Sequence, residues 1–197
     1  MKTFYRQTKR LILRDLANDD LMNVHRLYSD AKAMYFLDLP HAEIAQSQEY
    51  LEGVLADNSK NPRRSWQIAV ELADSRVFIG IACLEPETAE LKDGRAELSY
   101  YFLPEYWGKS YATEAGRAMI QFGFETLELN KIFSGCVKIN AASENVMIRC
   151  NMQKEAEYKK HTKMHGEWTN RVEYAILREE YYAAKPVGTA TCRPHIK

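Results

Sequence analysis

The sequence predicts an α+β fold built on a mixed, mostly antiparallel sheet of seven strands. Two observations carry the prediction. Seven β-rich runs are divided by turn residues, and apolar residues recur at helical spacing in four other places. One helical stretch lies between the fourth and fifth runs, over residues 96–138. Such a strand–helix–strand crossover sets its two strands parallel, with the helix across one face.

The elements follow in order. Residues 8–16, "TKRLILRDL", alternate as a first strand. "NDDLMNVHRLY" gives a helix, with Asn18 as a capping residue, acids in the first turn, and Leu21, Val24, Leu27 and Tyr28 on one face. A second helix is expected from about Ala42 to Leu55, with Ile44, Tyr50, Leu51, Val54 and Leu55 apolar. "WQIAVELA" and "RVFIGIACL" form a hairpin about Asp74 and Ser75. "AELSYYFL" is the fourth strand, stopped by Pro104. Tyr111, Ala115, Ala118, Met119, Phe122 and Leu127 share one face of the crossover helix. "KIFSGCVK" is the fifth strand and "SENVMIRCN" a short helix, before a last hairpin turning at His165–Gly166.

Composition bounds the function. The 197 residues are 46% hydrophobic and 27% charged, enough for one domain with a core. No linker or repeat divides residues 1–182; residues 183–197 carry two prolines and read as a mobile tail. Lys+Arg and Asp+Glu balance at 27 each, which disfavours a nucleic-acid partner. No apolar run approaches a membrane span, and the N-terminus lacks the apolar core of a signal peptide, so the expected setting is cytoplasmic. Cys83, Cys136, Cys150 and Cys192 show no metal spacing and read as reduced thiols. His161 and His165 stand four apart in a strand-and-turn segment with no carboxylate motif, so no metal is expected.

The stretch "WGKSYATEA", residues 107–115, joins the fourth strand to the crossover helix. The first N–H groups of that helix lack intrahelical partners and, with the helix dipole, suit an anion. Gly108 permits close approach of the backbone, and Tyr111–Thr113 supply N–H groups. The same stretch also reads as a tight turn with a glycine for steric reasons. A second segment, residues 138–156, offers Asn140 just past a strand, Ser143 as a helix N-cap, and Asn151 where the helix ends.

Together these segments resemble the Gcn5-related N-acetyltransferase (GNAT) superfamily, in particular its ribosomal-protein N-terminal acetyltransferase-like branch. The resemblance runs from "RLILRDLANDD" to "VEYAIL" and is densest in "RAELSYYFLPEYWGKSYATEA" and "NAASENVMIRCNMQKE". In the family's six-residue loop, Trp107 stands first, Ser110 fourth in place of glycine, and Ala112 sixth. Asn140, Ser143 and Val146 match the second motif, while Ser99 and Asn151 also stand where glycine is usual. The resemblance implies a three-layer fold with helices on both faces and acetyl-CoA as co-substrate. Residues Trp107, Gly108, Lys109, Ser110, Tyr111, Ala112 and Thr113 would cradle its pyrophosphate. Main-chain groups of Tyr101, Phe102 and Leu103 would hold the pantetheine arm, and Asn140 would bond the arm or the acetyl end.

The implied chemistry is direct attack of an amine on a thioester. It needs a base, an oxyanion donor and an acid for the thiolate. Glu97 is the base candidate; it reads equally as a strand glutamate paired with Arg95 or another cation. Ser143 is the acid candidate and also a cap, with Tyr100 or Tyr101 as substitutes. Glu114 suits the helix dipole and could face the acceptor. The acceptor is a small-molecule amine or a protein N-terminus. Residues Met34–Pro40 and Tyr158–Trp168, its expected contacts, hold no dense acidic cluster, so a polyamine is not especially favoured. A monomer or homodimer is expected. The alternative is a non-catalytic acyl-CoA-binding or sensing module on the same fold, which the three glycine replacements would support.

Overall fold

The computed structural model describes residues 3–37, 43–87 and 90–184. The strands are β1 (Tyr5–Gln7), β2 (Leu11–Asp15), β3 (Trp66–Leu72), β4 (Phe78–Pro86), β5 (Arg95–Phe102), β6 (Lys131–Val137), β7 (Gln153–Met164) and β8 (Glu167–Leu177). The helices are α1 (Leu21–Ser29), α2 (Ile44–Asn58), α3 (Tyr111–Glu125), α4 (Ala141–Arg149) and α5 (Arg178–Ala183). One sheet of eight strands has the order β1-β2-β3-β4-β5-β6-β8-β7. The expected count of seven is corrected by β1, which pairs antiparallel with β2 from Tyr5↔Arg14 to Gln7↔Ile12. Every described pairing is antiparallel except β5 with β6, the pair joined by the α3 crossover.

Two apolar clusters, one on each face, explain the sequence pattern. Ile68, Val70, Ala82 and Leu84 pack with Met119 and Phe122 of α3. Their alternates Ala69, Ile81 and Cys83 pack with Val24 and Leu27 of α1 and Leu51 and Val54 of α2. The strands β3 and β4 therefore read as continuous apolar runs because both faces are covered. Helix α2 starts at Ile44, which is exposed, while Ser47 is fully buried and bonds His25 Nδ1 at 3.1 Å. Asn18 does not cap α1: it opens a 3-10 turn, and Asp20 follows at the N-cap position. The Asp20 carboxylate instead accepts from the Ala17 N–H at 2.9 Å and from Arg14.

The β7–β8 turn falls at His165 and Gly166, both at positive φ (47° and 88°), as two-residue hairpin turns require. Cys83, Cys136 and Cys150 are buried free thiols; Cys192 lies outside the described residues. The expected tail does so from residue 185 onward, α5 carrying the chain to Ala183. No helix among the described residues is long and apolar enough to cross a membrane.

Candidate active site

The site is built around a gap in the sheet. Strands β5 and β6 pair only at Arg95↔Lys131, Ala96↔Ile132 and Glu97↔Phe133, and then part. Beyond Glu97, β5 keeps its partner β4 through Gly80↔Phe102. The Leu103 N–H donates to Ile79 O at 3.0 Å, so alternation turns the groups of Tyr101 toward β4 as well. Of the three residues expected to hold a pantetheine arm, Phe102 faces the gap, and it is joined by Tyr100. The Phe102 carbonyl accepts from Trp107 Nε1 at 2.7 Å, which ties the following turn to the strand.

That turn has the backbone of an anion cradle. Gly108 and Ser110 both take positive φ, 73° and 62°. A Cβ on Gly108 would meet nothing within 4 Å, so the space beside it is open. Ser110 is the N-cap residue of α3 and makes no side-chain cap; its hydroxyl accepts from Arg149 at 3.4 Å. Glu114 is the first α3 residue whose N–H reaches a backbone carbonyl, that of Ser110 at 3.1 Å. The N–H groups of Tyr111, Ala112 and Thr113 therefore have no intrahelical acceptor. The Thr113 hydroxyl is buried without a partner. Arg10 donates to Lys109 O at 3.0 Å and Lys109 lies over the Tyr106 ring, so cations flank the turn. A diphosphate fits this arrangement: main-chain donors, an open approach and surrounding positive charge.

The expected N-cap, Ser143, is corrected to Asn140, three residues earlier. Asn140 is the N-cap of α4, its Oδ1 accepting from the Ser143 N–H at 3.1 Å. Its side-chain NH2 is the group left to reach a ligand. The Ser143 hydroxyl lies 3.1 Å from the Tyr100 hydroxyl, which donates to Ser143 O at 3.0 Å. Burial holds the Tyr100 hydroxyl well above the usual phenol range, so it keeps its proton near neutrality.

Glu97 sits on the other face of β5. It lines a cavity of about 200 Å³ with Tyr28, Tyr50, Gln67, Cys83, Glu85, Ser99 and Tyr101. Arg95 is taken by Glu87 at 2.6 Å, whereas Arg171 approaches Glu97 to 3.8 Å. Burial raises the Glu97 carboxyl, Arg171 opposes this, and Glu85, Glu87 and Glu173 add to the rise. The net effect moves a carboxylate toward the range of a useful base. Glu114 is elsewhere: Thr8 donates to it at 2.6 Å and Arg10 at 2.7 Å, and this binding outweighs its burial and lowers its pKa. Burial raises the three described thiols, Cys83, Cys136 and Cys150, the last to about 11, which disfavours a thiolate nucleophile among them.

The cavity residues Tyr28, Tyr50, Gln67 and Glu85 did not stand out in the sequence. The signal for Glu85 is the β4–β5 register, which sets it opposite Glu97. His161 and His165 are each occupied separately, His161 against the Tyr158 ring and His165 on Tyr35 O at 2.9 Å. No group of three metal-ligating side chains forms among the described residues.

The pattern of the acetyltransferase (GNAT) domain matches residues 10–153. An uncharacterized N-acetyltransferase, YnaD of Bacillus subtilis, is 28% identical over 174 residues, 88% of this chain and 97% of that protein. The crystal structure of spermidine N-acetyltransferase from Vibrio cholerae, in complex with CoA and spermine, superposes with a TM-score of 0.77 at 22% identity. It covers 89% of this chain and 99% of its own. Ribosomal-protein-S5-alanine acetyltransferase from Vibrio fischeri reaches the same TM-score at 17% identity, covering 93% and 100%. The splayed sheet, the cradle and these likenesses agree: the chain belongs to the GNAT superfamily and is an acetyl-CoA-dependent N-acetyltransferase acting on an amine.

Proposed function

We propose that the acetyl group crosses the β5–β6 gap to a primary amine seated in the Glu97 cavity. The observation that supports this most directly is the opposition of two faces. Glu97 lies on the α1–α2 face of β5, and the Tyr100–Ser143 pair lies on the α3–α4 face, with the gap between them. Acetyl-CoA supplies an activated acyl group on a thiolate leaving group. The turn from Trp107 to Thr113 binds its pyrophosphate, and the Tyr100 and Phe102 main chain holds its arm. Glu97 takes the amine proton, and Tyr100 or Ser143 donates to the departing sulfur.

The acceptor is read as an amine that arrives as a cation, because Glu85 and Glu97 are cross-strand partners and both line the cavity. Both a polyamine and a protein N-terminus meet that description. The names of the two Vibrio neighbours support one each, so the ribosomal branch is not preferred over the spermidine one. The reading keeps one N-acetyltransferase domain over residues 1–182 in a cytoplasmic setting. Free-thiol release from acetyl-CoA, measured across a panel of polyamines, amino sugars and N-terminal peptides, tests it. Release with at least one class is expected. No amine-dependent release by folded protein that binds coenzyme A would overturn it.

A further inference from the structure

We infer that Glu85 is a positioning residue of the acceptor cavity, seating the amine as its ammonium cation opposite Glu97. This rests on the acetyl-transfer reading above and adds a second carboxylate to it. Glu85 and Glu97 are directly paired residues on adjacent strands and line the same cavity. Glu85 is held from behind by a polar chain. The Tyr28 hydroxyl donates to Tyr50 at 3.1 Å, Tyr50 donates to Gln67 Oε1, and Gln67 Nε2 donates to Glu85 Oε1 at 3.4 Å. Tyr50 occupies the amide oxygen, so the amide can only present its NH2 to Glu85. The chain fixes both the amide and the carboxylate it serves.

Among the described residues the pair has one cation, Arg171, and shares it with Glu173. Asp57 of α2 adds negative charge near Glu85. Glu87 is bound to Arg95, and Arg171 of β8 divides itself between Glu173 at 3.4 Å and Glu97 at 3.8 Å. Tyr28, Tyr101 and Cys83 complete the wall with groups that stay protonated, burial holding Tyr101 up at about 12. Two carboxylates in register, Glu97 half-buried and Glu85 at the exposed end of its strand, repel unless a cation lies with them. A primary ammonium does so, with three donors for the two carboxylates and a neighbouring hydroxyl.

The proton step then balances. One N–H bond of the ammonium breaks, an O–H bond forms on Glu97, and the neutral amine keeps the lone pair with which it attacks; after attack a second N–H proton replaces the one given to the departing sulfur. Burial and Asp57 raise the Glu85 carboxyl, and the negative charge of Glu85 raises that of Glu97 in turn, so Glu85 both seats the cation and strengthens the base.

The test compares wild type, Glu85→Gln and Glu85→Asp as full chains with an alkyl amine, cationic at the assay pH, and an aryl amine that is neutral. In Glu85→Gln the KM for the alkyl amine should rise on the order of 10-fold, the loss of one charge-assisted hydrogen bond. The KM for the aryl amine should stay put, and the acidic limb of kcat/KM should move to lower pH. Glu85→Asp should recover part of both effects. Calorimetric binding of the alkyl amine needs no turnover and should weaken by the same factor. If binding weakens but wild type releases no thiol, the transfer reading fails and the cation seat stands. Equal affinity in wild type and Glu85→Gln, or equal losses for both amines, overturns the inference.

Discussion

Ser110 carries the most informative perturbation because its backbone is known and its side chain does little. At φ 62° and ψ 18° it sits in the left-handed region, which costs an L-residue about 1–2 kcal/mol. Its hydroxyl makes no cap and meets only Arg149 at 3.4 Å, a long contact. Ser110→Gly removes the strain and adds the chain entropy of glycine, about 0.5–1 kcal/mol. The net gain is about 0.5–1 kcal/mol, a rise in Tm of roughly 1–4 °C for a domain of this size. Ser110→Ala keeps the strain and loses a weak contact, so it should be mild. Ser110→Pro cannot adopt the required φ and deletes the N–H, so it should be severe.

The assay is thermal unfolding of the three variants, together with their affinities for coenzyme A and for pantetheine lacking phosphates. If the turn cradles the pyrophosphate, Ser110→Pro should lose affinity for coenzyme A and keep what affinity there is for pantetheine. Ser110→Gly should bind coenzyme A as well as the parent or better. A proline variant that folds and binds coenzyme A normally would show that this turn is no cradle. A glycine variant less stable than the parent would refute the strain argument.

Two further outcomes are expected. Glu97→Gln should lower turnover by ~10²-fold or more with the affinity for acetyl-CoA nearly unchanged; near-normal single-turnover rates would remove Glu97 from the base role. Arg14→Met should destabilise the fold by about 3 kcal/mol in urea unfolding at neutral pH, because it leaves Asp20, 4% exposed, without its cation, while Glu71 keeps Arg76 at 2.8 Å. Burial alone would raise the Asp20 carboxyl, but hydrogen bonds from Arg14 and the Ala17 N–H outweigh it, so its folded pKa is depressed. Its stabilisation is therefore present above the unfolded carboxylate range and lost as pH falls through the lower folded value. The difference between parent and Arg14→Met should shrink on acidification; a constant difference down to pH 2 would contradict this.

The parts legible in the sequence are those set by local pattern. Strands covered on both faces announce themselves as apolar runs, and the crossover helix by its spacing, so the parallel β5–β6 pair was readable. Strand β1 was not: its three residues are exposed or half-buried and show no apolar alternation. The caps were misassigned because Asn140 and Ser143 are both good cap residues three positions apart, and only the helix phase decides between them. Glu114 looked like a dipole partner, but Thr8 and Arg10, more than a hundred residues away, claim it. The cavity was invisible for the same reason. Its walls come from α1, α2, β3, β4 and β5, and no short window contains them.

The three missing glycines bear on whether the fold still turns over, and the structure separates their effects. Ser110 and Asn151 both adopt φ 62°, so the chain keeps the backbone that glycine would have supplied, at the cost of some strain for serine and little for asparagine. Neither replacement removes a main-chain N–H. Ser99 is different in kind. It pairs with Cys83 and lines the acceptor cavity, with its hydroxyl coupled to Cys83 and Tyr101, so its side chain is spent on the cavity wall. A chain drifting toward a binding-only module would be expected to lose the groups that chemistry needs and binding does not. Here the raised carboxylate of Glu97, a second carboxylate paired with it, and a protonated Tyr100 across the gap are all in place. The replacements alter what lines the site and leave in place the groups that the proposed transfer would use.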